Sequence, residues 1–459
     1  MRNEHIYKRT LHIALPIMIQ NGVTNFVNML DNIMVGQIGT AQMSGVAIVN
    51  QLMFVFNLCI FGGLAGIGIF TAQYFGKGNH DGVRSTFRLM FITALILTGI
   101  GAAVFLLSGD SLISLYLHGE GSAAAAADTL IYAKRYLWIM LAGILPFALT
   151  QVYSSLLRSC NETVIPMRAS LLAVTVNLIG NYVLIYGKFG FPALGVRGAA
   201  AATVLSRFVE LGFIAVHAHR KDDRFPYMHK VYSSLAVPAE LVRSCAVKGA
   251  PLLVNEFLWS SAMATLTQIY SRIGLDVIAA LNIAQTMNNL FNISFIALGS
   301  ATGIIIGQEL GAGHFDTVKR DANRITLFTM GFCIVLGILS FALSGYFPLL
   351  YKTTDPIRQT ASGLIRIAAV CMPVYAYTNA SYFILRSGGK TIITFLFDSC
   401  FCWCVSIPVA WLLVSGTSFS ILLVYLIVQS TELIKCVVGF ILVEKEYWIN
   451  DLTGLGETA

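Results

Sequence analysis

The sequence predicts an all-α polytopic membrane protein of about 12 transmembrane helices, in two parallel six-helix repeats. Three observations carry this: an apolar composition, a succession of long uncharged runs, and a match of the chain with itself at an offset of 235 residues. Of 459 residues, 56% are hydrophobic and only 12% charged, whereas a soluble domain carries roughly 25% charged residues. The run 325–344 carries no charge, and 87–108 carries only Arg88, at its start. They are long enough to cross about 30 Å of hydrocarbon as helices and lack the alternation of barrel strands.

Apolar runs bounded by Gly, Pro and charge clusters place helices near 10–35, 43–72, 86–108, 126–157, 164–187, 196–218, 246–270, 277–307, 323–345, 359–385, 391–414 and 418–443. The first run is long, carries Asp31 and has no small-residue cleavage site, so it is expected to stay as a helix and not be removed as a signal peptide. The net charge of +7 comes from residues in short loops, not from one soluble face, so no nucleic-acid partner is expected. With the N-terminus inside, about twenty of the 30 Lys and Arg fall in cytoplasmic segments, including Arg2, Lys8, Arg9, Lys77, Arg84, Lys319 and Arg320. The expected location is therefore the inner (plasma) membrane, multi-pass, with both termini cytoplasmic. The longest polar stretch holds Arg220, Lys221, Asp222, Asp223 and Arg224 and reads as a cytoplasmic linker. This gives an N-lobe at 1–218, a linker at 219–245, a C-lobe at 246–443 and a cytoplasmic tail at 444–459. Cys400, Cys402 and Cys404, spaced i, i+2, i+4, do not converge on one metal and read as packing residues.

The repeat is the most informative feature. Between 36–81 and 271–316, eleven of 46 positions are identical without a gap, among them Gly39 with Gly274, Asn57 with Asn292, Gln73 with Gln308, Gly76 with Gly311 and Asp81 with Asp316. Shared hydrophobicity alone would not align polar and glycine positions. Pro16 pairs with Pro251 at the same offset, and after a length change Leu157, Arg158 and Ser159 match Leu385, Arg386 and Ser387. Six helices return the chain to its starting side, so the halves are parallel, related by an axis along the membrane normal. Two such lobes can rock about a central cavity. No G-x-x-x-x-G-K phosphate loop is present to bind ATP, and no catalytic constellation appears, so no enzyme activity and no cofactor are expected.

An ionisable residue in hydrocarbon costs about 2.5–3.5 kcal/mol, so each one needs a reason. Asp31 lies in the outward part of helix 1, Glu256 near the middle of helix 7 and Asp398 in the inward third of helix 11. Asn177 and Asn181 share a face of helix 5, and Thr203 lies in the first turns of helix 6, at the depth of Asp31. One carboxylate and three neutral oxygens suit a hard monovalent cation or a protonatable acid; helix-to-helix hydrogen bonding is the alternative use of the asparagines. Lys134 with Arg135, Arg207 with Glu210, and Glu432 with Lys435 read as local or snorkelling pairs, and Glu309 as a solvated helix end.

Pro16 to Gly39, with Asp31 followed by Val35, Gly36 and Gln37, resembles the first helix of multidrug and toxic compound extrusion (MATE) transporters of the bacterial multidrug branch. So do Gln73, Gly76 and Gly78 with their second-half copy, the Asn177 and Asn181 face, and Gly198 to Thr203. The resemblance implies a two-lobe fold with a V-shaped cavity and export of cationic, amphipathic small molecules in exchange for H⁺ or Na⁺. It implies cation coupling, with possible Na⁺, at Asp31, Asn177, Asn181 and Thr203, and substrate or cation binding at Glu256 and Asp398. Some relatives have an aspartate at the place of Asn181 and a tyrosine near the place of Thr394. A monomer in the lipid bilayer is expected. The competing reading is a lipid-linked oligosaccharide flippase of the same wider superfamily, which commonly has about fourteen helices and a cationic cavity.

Overall fold

The computed structural model describes residues 2–117, 123–220 and 224–454; Lys221, Asp222 and Asp223 of the mid-chain charge cluster and the last five residues of the tail lie outside the described residues. Twelve long helices follow one another, with no strand among the described residues. The first six are α1 Arg2–Gly36, α2 Thr40–Gly76, α3 His80–Leu115, α4 Ala126–Ser159, α5 Val164–Tyr186 and α6 Val196–Ala218. The second six are α7 Ala239–Ser271, α8 Leu275–Gly311, α9 Phe315–Leu343, α10 Asp355–Ser387, α11 Thr391–Gly416 and α12 Ile421–Glu444. Most run past their apolar stretches. The 36 residues of α3 rise about 54 Å, because its hydrogen-bond ladder continues through polar residues that a hydropathy window does not count.

Ten of these helices are long and apolar enough to cross a membrane. The two that fall short are α1 and α7, the first helix of each half. Both are long, at 35 and 33 residues, and both are diluted by polar side chains: Gln20, Asn21, Asn28, Asp31 and Asn32 in α1, Asn255 and Glu256 in α7. On other helices large apolar side chains such as Leu107, Leu327, Ile338, Val370, Leu412 and Val437 are exposed. A soluble protein does not present so much apolar surface; a bilayer accommodates it. The chain is a multi-pass membrane protein.

Contacts divide it into two compact units, one of residues 19–71 and 80–242 and the other of 1–18, 72–79 and 243–459. The units track the repeat except where the start of α1 and the α2–α3 junction join the second half. In the first unit α5 and α6 pack along each other. Small residues permit the approach: a Cβ on Gly180 would stand 2.9 Å from that of Ala202, and one on Gly198 would strike the Leu184 carbonyl. The mid-chain polar stretch is packed into this unit, with Phe225, Tyr227, Met228 and Val231 buried. Arg88 Nε donates to the Val231 carbonyl at 2.8 Å, and the Tyr153 hydroxyl meets Tyr232 at 2.6 Å and His219 Nε2 at 3.0 Å.

In the second unit Ile13, Ala14 and Ile17 of α1 share a core with Leu298, Ile305 and Ile325 of α8 and α9. The ends of α2 and α8 cross reciprocally: a Cβ on Gly76 would strike the Gln308 carbonyl, and one on Gly311 the Gln73 carbonyl. These four residues are the repeat partners, so only glycine fits at the crossing. The segment after α12 is also packed. Trp448 is fully buried and its indole donates to the Val443 carbonyl at 2.9 Å. The Gln73 amide donates to the carbonyls of Ser387 and Asn450 and accepts from the Leu452 amide at 2.7 Å.

Candidate functional site

The α5–α6 interface sets the first cluster. Asn177 and Asn181 project from one face of α5 and are 5% and 1% exposed, held against α6 by the small-residue contacts. Asn181 Nδ2 donates to Asp31 Oδ1 at 2.5 Å, which brings α1 to the pair. Thr203 Oγ1 bonds the Ala199 carbonyl at 3.0 Å and lies 3.2 Å from the Asn177 amide. With that amide turned so that its nitrogen faces the carboxylate, Asn177 donates to both Asp31 oxygens, at 2.9 and 3.1 Å. All four residues expected from the sequence therefore stand together. The buried Asn181 Oδ1 has no hydrogen-bond partner, which is rare for a buried amide oxygen and marks a place for a donor or a cation. Both amides here present N–H groups to Asp31; with the amide oxygens turned inward, the carboxylate, the two amides and the Thr203 hydroxyl would give the hard oxygens that suit Na⁺.

The second cluster joins α7, α11 and α12. Asp398 lies in a stretch, Leu396–Cys400, where α11 widens into a π-helix, with a second one at Cys402–Ser406. Such widenings are frequent at functional sites, because they turn a side chain off the regular helical face. Asn255 clamps the widened turn: its Nδ2 donates to Asp398 Oδ2 at 3.2 Å, and its carbonyls accept from Ser399 Oγ at 2.8 and 2.6 Å. Glu256, the next residue, lies within electrostatic reach of Arg386 and Asp398. Thr394 turns back to its own helix, bonding the Thr391 carbonyl. The Lys435 ammonium stands 3.4 Å from Asp398 and 3.2 Å from Glu432, so the local pair expected of Glu432 and Lys435 extends to the site acid. Glu309 is likewise not a solvated end: its side chain is 12% exposed and faces Arg9 at 3.9 Å. Among the described residues, no three His, Cys, Asp or Glu side chains gather to hold a metal.

A third constellation joins residues that the sequence did not bring together, Glu210 having been expected only beside Arg207. Arg158 donates to Gln20 Oε1 at 2.5 Å, the Gln20 amide donates to Ser170 at 2.6 Å, and Ser170 donates to Glu210. It is the first-half image of the second cluster. The offset that carries Pro16 to Pro251 carries Gln20 to Asn255, and the shift that carries Arg158 to Arg386 carries Ser170 to Asp398. The repeat was the available signal, since it pairs these positions. Tyr136 was also missed; buried on α4, it lies near Thr203, Arg207 and Asp31.

Comparison with known proteins agrees with this architecture. The family model MatE matches residues 16–183 and 251–412, one stretch in each half. The chain is similar to the protein named probable multidrug resistance protein NorM of Thermotoga maritima, 26% identical over 410 residues, which cover 89% of this chain and 86% of that one. It is 26% identical to the Streptococcus pneumoniae R6 protein of the same name over 415 residues, covering 89% and 88%. Among solved structures, it superposes on one described as the outward-facing conformation of a multidrug resistance MATE family transporter of the MOP superfamily, with a TM-score of 0.83, 19% identity and coverage of 99% and 97%. A MATE in complex with MaL6 gives 0.85, 19%, 99% and 98%. With the family model matching most of both halves, the chain belongs to the MatE family.

Proposed function

We propose that this protein is a multidrug efflux transporter working as a secondary antiporter, exporting cationic, amphipathic compounds from the cell in exchange for H⁺ or Na⁺ by alternating access of its two lobes. The observation that supports this best is the oxygen cluster of Asp31, Asn177, Asn181 and Thr203, with one buried amide oxygen unpaired. An ion or proton at Asp31 changes what that carboxylate can bond, and Asp31 is on the helix that Pro16 interrupts. Proline removes one rung of the α1 ladder and gives the helix a bend point. The compact-unit boundary falls between Met18 and Ile19, two residues beyond it. Occupancy at Asp31 thus biases a helix shared by both units, the differential interaction that coupling requires.

Glu256 and Asp398 are the proposed ligands for cationic cargo in the C-lobe, and the inner membrane, with both termini cytoplasmic, is the proposed setting. The test is dye efflux in proteoliposomes of the purified protein, with a pH gradient and a Na⁺ gradient imposed in separate experiments. At least one gradient should drive ethidium movement without ATP. Movement only on addition of ATP overturns the reading.

A further inference from the structure

The surroundings of Lys435 combine four groups that favour a cation. Its ammonium lies 3.4 Å from Asp398 Oδ1 and 3.2 Å from Glu432 Oε1, and 5.6 Å from the ring centroids of both Phe397 and Phe401. Two carboxylates and two aromatic faces around one positive charge form a cation cage, the arrangement by which proteins bind organic ammonium ions. Here the occupant is covalently attached. The Lys435 side chain is 8% exposed, whereas that of Asp398 is 24% exposed. The acid therefore stays accessible while the charge neutralising it is shielded. Asn255 and the widened turn of α11 fix the carboxylate in place, so the cage persists whatever fills it.

We propose that Lys435 is a built-in competitor for the C-lobe cation site: a lipophilic organic cation takes up the Asp398, Glu432, Phe397 and Phe401 cage by displacing the Lys435 ammonium. The inference rests on Asp398 being a ligand for cationic cargo and adds the group that sets how tightly cargo is held. Displacement leaves Asp398 and Glu432 paired at every stage, first with lysine and then with cargo. With the released ammonium turning to the solvent that reaches Asp398, no bare buried charge is left. Displacement also weakens cargo binding by the free energy of the displaced pair, which favours release.

Equilibrium binding of tetraphenylphosphonium to the purified full-length protein tests it. Lys435→Met should bind the probe at least about tenfold more tightly than wild type, Lys435→Arg should resemble wild type, and adding Asp398→Asn should remove the gain. Lys435→Met with Glu432→Gln keeps the net charge of the cage and serves if the single variant misfolds; it should also exceed wild type. A third measurement needs no variant: saturating tetraphenylphosphonium should expose Lys435 to acetylation by acetic anhydride, read at that residue by mass spectrometry. Unchanged affinity in the folded lysine variants, or unchanged protection of Lys435, overturns the proposal. Asp398→Asn alone separates the two levels. If it leaves probe binding intact, Asp398 is not a cargo ligand. If it weakens binding while Lys435→Met changes nothing, only the displacement fails.

Discussion

At the scale of single residues, a polar side chain in an apolar run is conspicuous, and Asp31, Asn177, Asn181 and Thr203 were legible for that reason. Helical spacing put the asparagines on one face, and membrane depth aligned them with Asp31. Their partners in the other clusters were less legible. Arg158 ends an apolar helix and reads as an interfacial charge until the fold sets it on Gln20; Lys435 has an acid three residues away that satisfies it on paper before Asp398 comes into view. The Asp31 cluster makes a sharp prediction. Asp31→Asn should abolish gradient-driven efflux with little change in monodisperse yield. Asn181→Leu, which removes the buried amide oxygen left unpaired for a cation, should raise the half-saturating Na⁺ concentration about tenfold or more, since a bond to a charged group carries about 1.5–3 kcal/mol. Wild-type efflux in Asp31→Asn moves the coupling site elsewhere.

At the scale of elements, helix number and order followed from hydropathy and from the repeat, but two departures did not. The π-helical stretches of α11 have no compositional mark; in the first, Ser399 bonds Asn255 of α7, a partner that local sequence does not reveal. The mid-chain stretch advertised its charges and concealed Phe225, Tyr227, Met228 and Val231, too few and too irregular to register as an element. Its docking carries a pH signature. Burial against Tyr153 holds the His219 imidazole below its ordinary value, about 6.5; once released, it regains that value. The undocked state therefore binds more protons, so docking is fully stable above about pH 6.5 and weakens as pH falls through the docked-state value. Limited trypsin cleavage around Arg224 and Lys230 should accelerate between about pH 7.5 and 5.5 relative to a soluble control substrate. His219→Phe, which keeps the ring, should lose that acceleration. The same acid response in the phenylalanine variant rules out His219 as its source.

At the scale of the whole molecule, the repeat foretold two halves but not how the chain is shared between compact units. Residues 1–18 and 72–79 pack with the second half, and hydropathy says nothing about which neighbour a helix end meets. The segment after α12 packs in that same unit. Trp448→Ala should destabilise the protein by about 3 kcal/mol, seen as a lower midpoint of thermal unfolding in detergent. A midpoint indifferent to Trp448→Ala would show the segment to be only loosely attached. The bond between the Leu452 amide and the Gln73 side chain spans 379 positions, and it has a consequence for biogenesis. At about 5–20 residues per second, the ribosome supplies Leu452 some tens of seconds after Gln73 has entered the membrane. Until then the Gln73 side-chain oxygen lacks this donor, although its amide nitrogen meets the Ser387 carbonyl earlier. Residues translated after α12 thus complete a helix of the first half, and a nascent chain stalled before Leu452 should still be recognised by the cell as unfinished.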